Sequence, residues 1–354
     1  MKYIFTSFSL NFSYKWLAIL GLMVVVLWGC EEAFLDPPTT DPESIFDEAW
    51  NFADQEYSFF EFKNIDWDQQ YSTYRPQVTS STSEEALFEI LADMLFVLRD
   101  GHVNLRSNFD RSRNWEWYLN SPENFDYSLL ERNYFNQEEQ FVGPFVYRDF
   151  GDVGYMYYGS FSSLVESEDM DFILNKVQDK RGLIIDVRNN GGGATSNVNR
   201  IAGHFVAEDR TVGIFRRRNG PNRNDFGDLF GITLTSQRDD PYTKPVFVLT
   251  NRRCYSATNR FVMTMGALPQ VTVLGDTTGG GGGTPSFTEL ANGWQMRVSN
   301  TQSFILLTDS TNNEQVAFNI EDGIPPAIRV DLSPTDEARG TDTILEAALR
   351  RLRE

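Results

Sequence analysis

Histidine and cysteine are scarce in this sequence of 354 residues, which contains two of each. His102 and His204 alone are a poor ligand set for zinc, since the chain has neither an HExxH motif nor a cysteine cluster. Cys30 and Cys254 cannot build a disulfide framework, so a hydrophobic core must hold the fold. Positive charge is also sparse, and the net charge is −19. Such a chain will not bind nucleic acid or acidic lipid through its overall field.

Long hydrophobic runs are missing outside the N-terminal region. Residues 16–28 are an unbroken apolar run that suits a signal-peptide h-region and is shorter than the ~20 residues of a membrane span. The run ends in the letters LWGC, which resemble a bacterial lipobox apart from the large Trp28. We therefore expect a signal peptide over 1–29 and a lipidated Cys30 that ties the protein to the cell envelope, on the periplasmic or surface face. An ordinary cleaved signal and an uncleaved anchor are the alternatives.

The next segments differ in amino-acid composition, which predicts separate structural units. Residues 30–42 are a Pro- and Thr-rich tether, and 43–105 carry apolar residues at helical spacing, with Ser83 as an N-cap. We predict a helical N-terminal domain over 43–105, a connecting segment over 106–150 and a catalytic domain over 151–354.

From residue 150 onward, short apolar segments alternate with amphipathic ones. This alternation predicts an α/β fold with a largely parallel, buried sheet and crossover helices. Asn292-Gly293 between two candidate strands indicates a hairpin. The predicted strands are 153–161, 182–187, 246–249 and 271–274, and the predicted helices are 166–178, 195–206, 256–265 and 341–351.

Histidine is the side chain that titrates near neutral pH, so both histidines are candidates for acid–base chemistry. His102 follows a helical segment at a Gly-marked break, where a loop could hold a general base. A surface histidine without a role is the alternative. His204 falls inside a predicted helix beside apolar residues, which indicates a packed structural histidine.

Three consecutive glycines, Gly191-Gly192-Gly193, follow the apolar strand at 182–187. Exposed N–H groups in such a turn can hold an oxyanion or a phosphate. The phosphate interpretation is weak, because the motif is neither GxxxxGK[ST] nor GxGxxG. A plain glycine-rich turn stays open as a third interpretation.

A second strand–turn–helix passage contains Ser256, followed by the small residue Ala257. Ser256 is a candidate nucleophile, with an ordinary helix N-cap as the alternative and Cys254 as a less favoured nucleophile.

Two later segments carry further candidates. The five glycines at 279–283 could form a cleft wall that admits an extended chain, with Gly279, Gly280 and Gly281 as its members, or a flexible linker. Glu321 and Asp322, in a turn, could orient a histidine or could be solvated acids.

Taken in order over residues 85–350, these motifs resemble the catalytic domain of the tail-specific and tricorn-like serine peptidases. The resemblance implies a crotonase-like or ClpP-like core of the interphotoreceptor retinoid-binding type. It also implies Ser256 as nucleophile, His102 as base, Glu321 as acid, and Gly192, Gly193 and Ala257 as oxyanion donors. One family branch uses a lysine in the glycine-rich segment, and 277–285 contains none, which selects the His/Ser/Glu branch.

Three departures accompany this resemblance. Asn259 stands where relatives often carry Glu, the acid lies two rather than three residues before Gly323, and 103–153 leaves no room for a PDZ domain. We expect a serine endopeptidase for extended or unfolded peptides that needs no cofactor, and the sequence leaves its oligomeric state open. A non-catalytic peptide- or ligand-binding surface lipoprotein on the same fold, and a nucleotide-dependent α/β enzyme, are the alternatives.

Overall fold

The fold is described from a computed structural model that covers residues 40–114, 120–308 and 315–354. Its helices are α1 (Pro42–Glu56), α2 (Trp67–Tyr74), α3 (Glu84–Phe96), α4 (Tyr127–Leu130), α5 (Ser167–Val177), α6 (Ser196–Ala202), α7 (Ala257–Gly266), α8 (Pro334–Ala338) and α9 (Thr343–Arg353). Its strands are β1 (Asn104–Arg106), β2 (Gln140–Val142), β3 (Phe145–Asp149), β4 (Val153–Tyr157), β5 (Gly182–Asp186), β6 (Arg210–Arg217), β7 (Phe230–Leu234), β8 (Val246–Thr250), β9 (Val271–Gly275), β10 (Pro285–Glu289), β11 (Gln295–Ser299), β12 (Thr301–Thr308), β13 (Gln315–Asn319) and β14 (Ile328–Arg329).

A seven-stranded sheet of order β14-β9-β8-β5-β4-β3-β2 forms the centre of the fold. The strands from β14 to β4 are parallel, and β5 and β8 are buried along their whole length, which confirms the predicted α/β class. β3 and β2 extend the sheet antiparallel at one edge. Because these two strands come from 140–149, the segment predicted to be a mere connector contributes to the central sheet.

Helices cover both faces of this sheet. α5, α6 and α7 pack on one face through apolar residues such as Ile173, Ile201 and Phe261. On the other face, α9 packs with 125–135 through residues such as Leu129 and Leu345. The carboxyl ends of the parallel strands therefore lie between two helical layers. The candidate motifs of 188–193 and 251–257 begin at these strand ends.

The N-terminal helices share their core with a hairpin from the second half of the chain. Ser83 accepts a hydrogen bond from Ala86 N and caps α3, as predicted. The apolar faces of α1 and α3 pack against Trp294, Met296 and Val298 of the β10–β11 hairpin. β1 completes the hairpin into a three-stranded sheet. The hairpin at Asn292-Gly293 is confirmed, and the core of 43–105 is completed by apolar residues of this hairpin.

A four-stranded antiparallel sheet of order β13-β12-β6-β7 has no counterpart in the predicted strands. β13 and much of β7 are exposed, so their sequences lack the apolar run that marked β5 and β8. Within the described residues, every helix is too short or too polar to cross a bilayer. The predicted signal peptide, Cys30 and most of the tether lie outside the described residues.

Candidate active site

Ser256 occupies a strained turn between β8 and α7. Its backbone has φ 58° and ψ −118°, a conformation that costs a non-glycine residue about 1–3 kcal/mol. The turn is held from outside, because Ser256 N donates to Gly280 O at 2.9 Å. The hydroxyl makes no capping bond to α7, so the ordinary N-cap interpretation does not describe this serine. Strain held by surrounding structure is typical of a functional position.

The imidazole of His102 meets this hydroxyl. His102 Nε2 lies 2.9 Å from Ser256 Oγ, although 154 positions separate the two residues. A tight turn after α3 places the ring: His102 N donates to Asp100 Oδ1 at 2.8 Å and Val103 N donates to Asp100 O at 3.0 Å. The Tyr255 ring packs beside the imidazole, with ring centres 5.0 Å apart. The structure thus joins the predicted base and nucleophile by a hydrogen bond.

Burial sets the protonation state of His102. Burial lowers the pKa of the imidazole to about 4, and the charges of Arg297 and Lys63 add to this against the opposing charge of Asp100. The ring is therefore neutral near pH 7 and able to accept a proton. For Nε2 to accept it from Ser256, Nδ1 must carry the ring hydrogen. Nδ1 makes no hydrogen bond of ordinary geometry among the described residues, but the Gly283 backbone interacts with the ring and acts to raise its pKa.

Glu321 is not hydrogen-bonded to His102, although the sequence suggested that it orients the ring. Its Oε1 accepts from Lys63 Nζ at 2.8 Å and its Oε2 accepts from Gly282 N at 2.9 Å. Burial raises the pKa of Glu321 to about 8, against the lowering effect of Lys63. The alternative acid Asp322 is exposed. Glu321 therefore belongs to a buried cluster of titratable side chains that lies near His102 and does not hydrogen-bond to its ring.

Asp100 and Lys63 complete this group, and the sequence analysis did not identify either. Asp100 is fully buried and also accepts from Tyr255 Oη at 3.2 Å. Burial acts to raise its pKa, but the charges of Lys63 and His102 outweigh burial and lower it. Lys63 Nζ further donates to the carbonyls of Leu98 and Arg99 at 3.3 and 3.0 Å. The sequence feature that could have pointed to Lys63 is its position in the aromatic run YSFFEFK, where a lysine is expected to be partly buried.

The glycine-rich loop after β5 lies against the serine turn. Gly192 has φ +101°, and a Cβ there would lie 2.9 Å from Ser256 Cβ, so a side chain does not fit. Its N–H donates to Asn190 Oδ1 at 3.0 Å, and is thus engaged within the loop instead of serving as an oxyanion donor. We find no acceptor among the described residues for the N–H groups of Gly193 and Ala257. These two amides are therefore the available candidates for the predicted oxyanion hole.

The acidic and basic residues ahead of this loop are structural. Arg188 is fully buried, with Nη2 at 2.5 Å from Asp186 and 2.9 Å from Asp342, the N-cap of α9. The guanidinium also lies over the Phe125 ring at 4.5 Å. This cluster ties the end of β5 to α9 and so fixes the base of the loop.

Gly279, Gly280 and Gly281 are buried and do not line the cleft, in contrast to their predicted place in its wall. They pack between the serine turn and the Glu321 segment, and a Cβ on Gly280 would lie 1.8 Å from Glu321 O. Gly279 N donates to Cys254 O at 2.8 Å and Gly281 N donates to Glu321 O at 2.9 Å. The glycines are needed because two backbones approach closely there, which is a structural reason and not a substrate contact.

The two remaining candidates play no visible part in the site. Cys254 is fully buried, its Sγ donates to Val187 O at 3.1 Å, and burial raises its pKa to about 12. A thiol of that kind stays protonated and is a poor nucleophile. His204 is buried in a turn after α6, as the sequence indicated, and neither ring nitrogen has a hydrogen-bond partner among the described residues.

An open cleft of about 620 Å³ is lined by the partly exposed Ser256 and by the largely buried His102. A cavity of about 510 Å³ between α7, β6 and β12 contains neither residue. In the part of the chain that the structure describes, no three His, Cys, Asp or Glu side chains are grouped so as to hold a metal ion. The cleft is lined by His102, Gly193, Arg253, Tyr255, Ser256 and Arg297, among others.

Two family models and one curated protein match parts of this chain. The model of peptidase family S41 matches residues 152–328, half of the chain, and the tricorn protease C1 domain model matches 38–96. The chain is 30% identical over 149 residues to the carboxy-terminal processing protease CtpB of Bacillus subtilis, over 42% of this chain and 29% of that protein. The matched part thus spans under a third of the length of this curated relative.

Solved structures extend the likeness to most of the chain. A provisionally assigned peptidase from Parabacteroides merdae is 40% identical, with a TM-score of 0.81, covering 89% of this chain and 97% of that one. Mature CPAF is 11% identical with a TM-score of 0.61, covering 88% and 96%, and shares the fold. From the family match and the Parabacteroides likeness, this chain belongs to peptidase family S41, the tail-specific group of serine-type peptidases.

Proposed function

We propose that this chain is a serine endopeptidase with Ser256 as nucleophile and His102 as general base. The observation that supports it best is the 2.9 Å contact between His102 Nε2 and Ser256 Oγ in a solvent-open cleft. A positioned base within hydrogen-bond reach of a hydroxyl is the arrangement that activates serine. The burial that keeps the imidazole neutral suits it to accept the proton near neutral pH.

The reaction is acyl transfer in two steps. His102 Nε2 takes the hydroxyl proton as Ser256 Oγ attacks the peptide carbonyl, and the same proton then passes to the leaving amine as the C–N bond breaks. Water, deprotonated by His102, then attacks the acyl-enzyme, and His102 gives that proton to Ser256 Oγ as the acyl–oxygen bond breaks and the new C-terminal acid is released. Each step leaves the histidine in its starting form.

The developing oxyanion is received by the backbone. Ala257 N–H opens α7, whose N-terminus favours negative charge, and Gly193 N–H lies across the cleft on the glycine-rich loop. A donor of this type contributes about 10²–10³ in rate. Gly192 has the separate role of letting the loop approach the serine.

Asp100 is the acid we assign to stabilise the imidazolium that forms during the reaction. Among the charges around His102, that of Asp100 acts most strongly to raise the imidazole pKa, and its carboxylate holds the His102 backbone N–H. Glu321 acts at one remove, because it binds the Lys63 ammonium that faces Asp100. Both are positioning residues that do not touch the substrate.

The substrate we propose is an extended or unfolded peptide, since an open cleft between a strained turn and a hairpin admits a chain and not a folded domain. A fluorophosphonate probe tests the nucleophile directly. We expect one label per chain, lost in Ser256→Ala and strongly reduced in His102→Ala, with both variants folded by circular dichroism. Retained labelling of Ser256→Ala would reject the assignment, and a folded chain that neither reacts nor cleaves would favour the non-catalytic binding protein.

We also propose that Cys30 is lipidated and ties the protein to the cell envelope. The support is the LWGC sequence at the end of the 16–28 apolar run. Metabolic labelling with an alkyne-bearing palmitate tests this in a bacterial host. We expect label on the wild-type chain and none on Cys30→Ala, with Cys254→Ala as the matched control that keeps the label.

A further inference from the structure

Two arginines beside the cleft share a neutral acceptor in place of a carboxylate. Asn104 Oδ1 accepts hydrogen bonds from Arg111 Nε at 3.1 Å, from Arg111 Nη2 at 2.6 Å and from Arg297 Nη2 at 3.0 Å. The amide is fixed at its other end, because Asn104 Nδ2 donates to Gly101 O at 3.2 Å. In the described ranges neither guanidinium has a carboxylate partner, whereas Arg75 and Arg223 pair with acids.

The strand register explains why Arg297 reaches the cleft. Along β11, Met296 and Val298 point into the core shared with the N-terminal helices, so Arg297 lies on the opposite face. Its register partners on that face are Asn104 of β1 and Phe287 of β10. Phe287 is 69% exposed, which places an unburied aromatic ring beside the guanidinium.

Arg297 lies between the catalytic pair and the second arginine. It lines the 620 Å³ cleft together with His102 and Ser256. It also lines an adjoining depression of about 170 Å³ together with Arg111 and Phe287. A peptide substrate that extends out of the cleft along β11 therefore passes the two guanidiniums.

The electrostatics of this pair favour an anion. Arg297 Nε is buried and has no hydrogen-bond partner among the described residues. Burial, and then the charge of Arg111, lower the pKa of Arg297. Asp100 acts on Arg297 from a distance and raises its pKa, but no carboxylate of the described residues pairs with either guanidinium. Two like charges held together without a paired carboxylate gain from a bound anion, and a guanidinium fork matches the two oxygens of a carboxylate. The chain as a whole has a net charge of −19, so its overall field repels anions. The attraction for an anion therefore comes from these two side chains.

We propose that Arg297 and Arg111 bind a carboxylate of the peptide substrate next to the scissile bond, so that the enzyme selects peptides with an acid there. The inference rests on the proposed peptidase function. The carboxylate comes either from an Asp or Glu side chain or from the C-terminus of the substrate, since both present the same pair of oxygens.

Three quenched fluorescent peptides with one core sequence separate these sources. The first carries Glu, placed in turn at each position flanking the cleaved bond, and an amidated C-terminus. The second carries Gln and a free C-terminal carboxylate at the matching distance, and the third carries Gln and an amide. We expect kcat/KM for the first or second peptide to exceed that for the third by about 10- to 100-fold, as for hydrogen bonds to charged groups.

The arginine variants show whether the preference comes from this site. Arg297→Gln and Arg111→Gln should each remove most of the preference, measured as the ratio of kcat/KM for the carboxylate and neutral peptides in the same variant, so that any effect of Arg297 on His102 cancels. Arg350→Gln, an exposed arginine on α9, is the matched control for loss of one positive charge and should keep the preference. Equal kcat/KM for all three peptides in the wild type, or an equal loss for all three in Arg297→Gln, would overturn the proposal.

A binding measurement keeps this result separate from the fate of the proposed function. Fluorescence anisotropy of the three peptides with Ser256→Ala needs no turnover, and we expect the carboxylate peptides to bind about 10- to 100-fold more tightly. If the wild type cleaves nothing but this preference persists and depends on Arg297, the peptidase assignment fails while the carboxylate site stands. If the wild type cleaves and no preference exists in either assay, the carboxylate site alone fails.

Discussion

Gly192 lies so close to Ser256 that a Cβ on the glycine would be 2.9 Å from the serine Cβ and 2.7 Å from Tyr255 O. Two strained turns, one from each of two neighbouring parallel strands, thus contact each other at the carboxyl edge of the sheet. Neither turn can shift alone, because Tyr255 N donates to Asn190 O at 3.2 Å and Thr258 Oγ1 donates to Asn190 Oδ1 at 2.7 Å. The position of the serine hydroxyl is therefore set by the glycine loop as much as by its own strand.

Gly192→Ala tests this relationship. The added methyl group clashes with backbone, and φ +101° is itself unfavourable for alanine, so the serine turn must move. Because a misplacement of about 1 Å can cost about 10²-fold in rate, we expect kcat to fall by about that factor. Steady-state hydrolysis and thermal melting measure the two effects.

Gly191→Ala is the matched control, since a Cβ there meets nothing within 4 Å. We expect it to retain the melting temperature and most of the activity. Equal losses in both variants would mean that loop flexibility, and not the contact with Ser256, matters for catalysis.

The pH dependence of kcat/KM reports the environment of His102. With its pKa lowered to about 4 by burial, the acid limb should lie well below the ordinary histidine value of 6.5. The charged groups that act on the ring are Asp100, Arg297 and Lys63. Asp100→Asn removes the charge that raises the pKa and should move the limb to lower pH, whereas Arg297→Gln should move it to higher pH.

Replacing Asp100 and replacing Glu321 should also lower the rate by different amounts. Without Asp100 the imidazolium loses its nearest negative charge, and kcat/KM at pH 7 should fall by about tenfold or more, since one pKa unit corresponds to about 1.36 kcal/mol. Glu321→Gln should cost less, because Glu321 contacts Lys63 and not the histidine. A larger loss in Glu321→Gln than in Asp100→Asn would return the orienting role to Glu321.

Most of the fold could be predicted from periodicity, because β5 and β8 are continuous apolar runs and α5 and α7 have one apolar face. The four-stranded sheet could not, since β7 and β13 are short, largely exposed strands whose sequences mix apolar and polar residues without a continuous apolar run. The partner of the N-terminal helices could not be predicted either, because their core is completed by β11, nearly 200 residues later in the chain.

The site was predictable where chemistry is local and not where it depends on distant pairing. His102 and Ser256 were candidates by residue type and by the turns that contain them, but a surface histidine and a helix N-cap explained them equally well, and only the resemblance supplied the expectation that they meet. The Lys63–Glu321 pair joins residues 258 positions apart, and no pattern near either residue indicates the other. Gly279 to Gly281 were misassigned because a run of glycines looks alike whether it borders a cleft or fits between two backbones.

His204 should matter for stability and not for rate. The ring is 1% exposed and lies outside the cleft, so His204→Ala leaves a cavity without touching the catalytic pair. We expect a loss of about 1–3 kcal/mol in the free energy of unfolding and an unchanged kcat/KM. Urea denaturation and steady-state kinetics measure the two, and Glu208→Ala, an exposed neighbour, should change neither. A rate loss in a fully folded His204→Ala would contradict the structural role.

The buried Lys63–Glu321 pair should make stability fall as pH rises from about 4.5 to about 8. Glu321 has its pKa raised from 4.5 to about 8 by burial, so the folded state binds more protons than the unfolded state between those values. In that window the unfolding free energy falls with rising pH, by at most about 1.4 kcal/mol per pH unit. His102 and His204, with lowered pKa values, act in the opposite direction, but only below their ordinary value of 6.5.

The range from pH 6.5 to 8 therefore isolates Glu321. Urea midpoints across this range should fall in the wild type and stay level in Glu321→Gln, which cannot ionise, while Glu208→Gln keeps the wild-type slope. Lys63→Met leaves the buried carboxylate of Asp100 without the cation that acts on it, so stability should drop by about 3–5 kcal/mol, while the pKa of Glu321 rises further. If the slope survives in Glu321→Gln, the proton that titrates in this range belongs to another group. The Glu321 carboxylate would then be ionised at neutral pH and paired directly with the Lys63 ammonium.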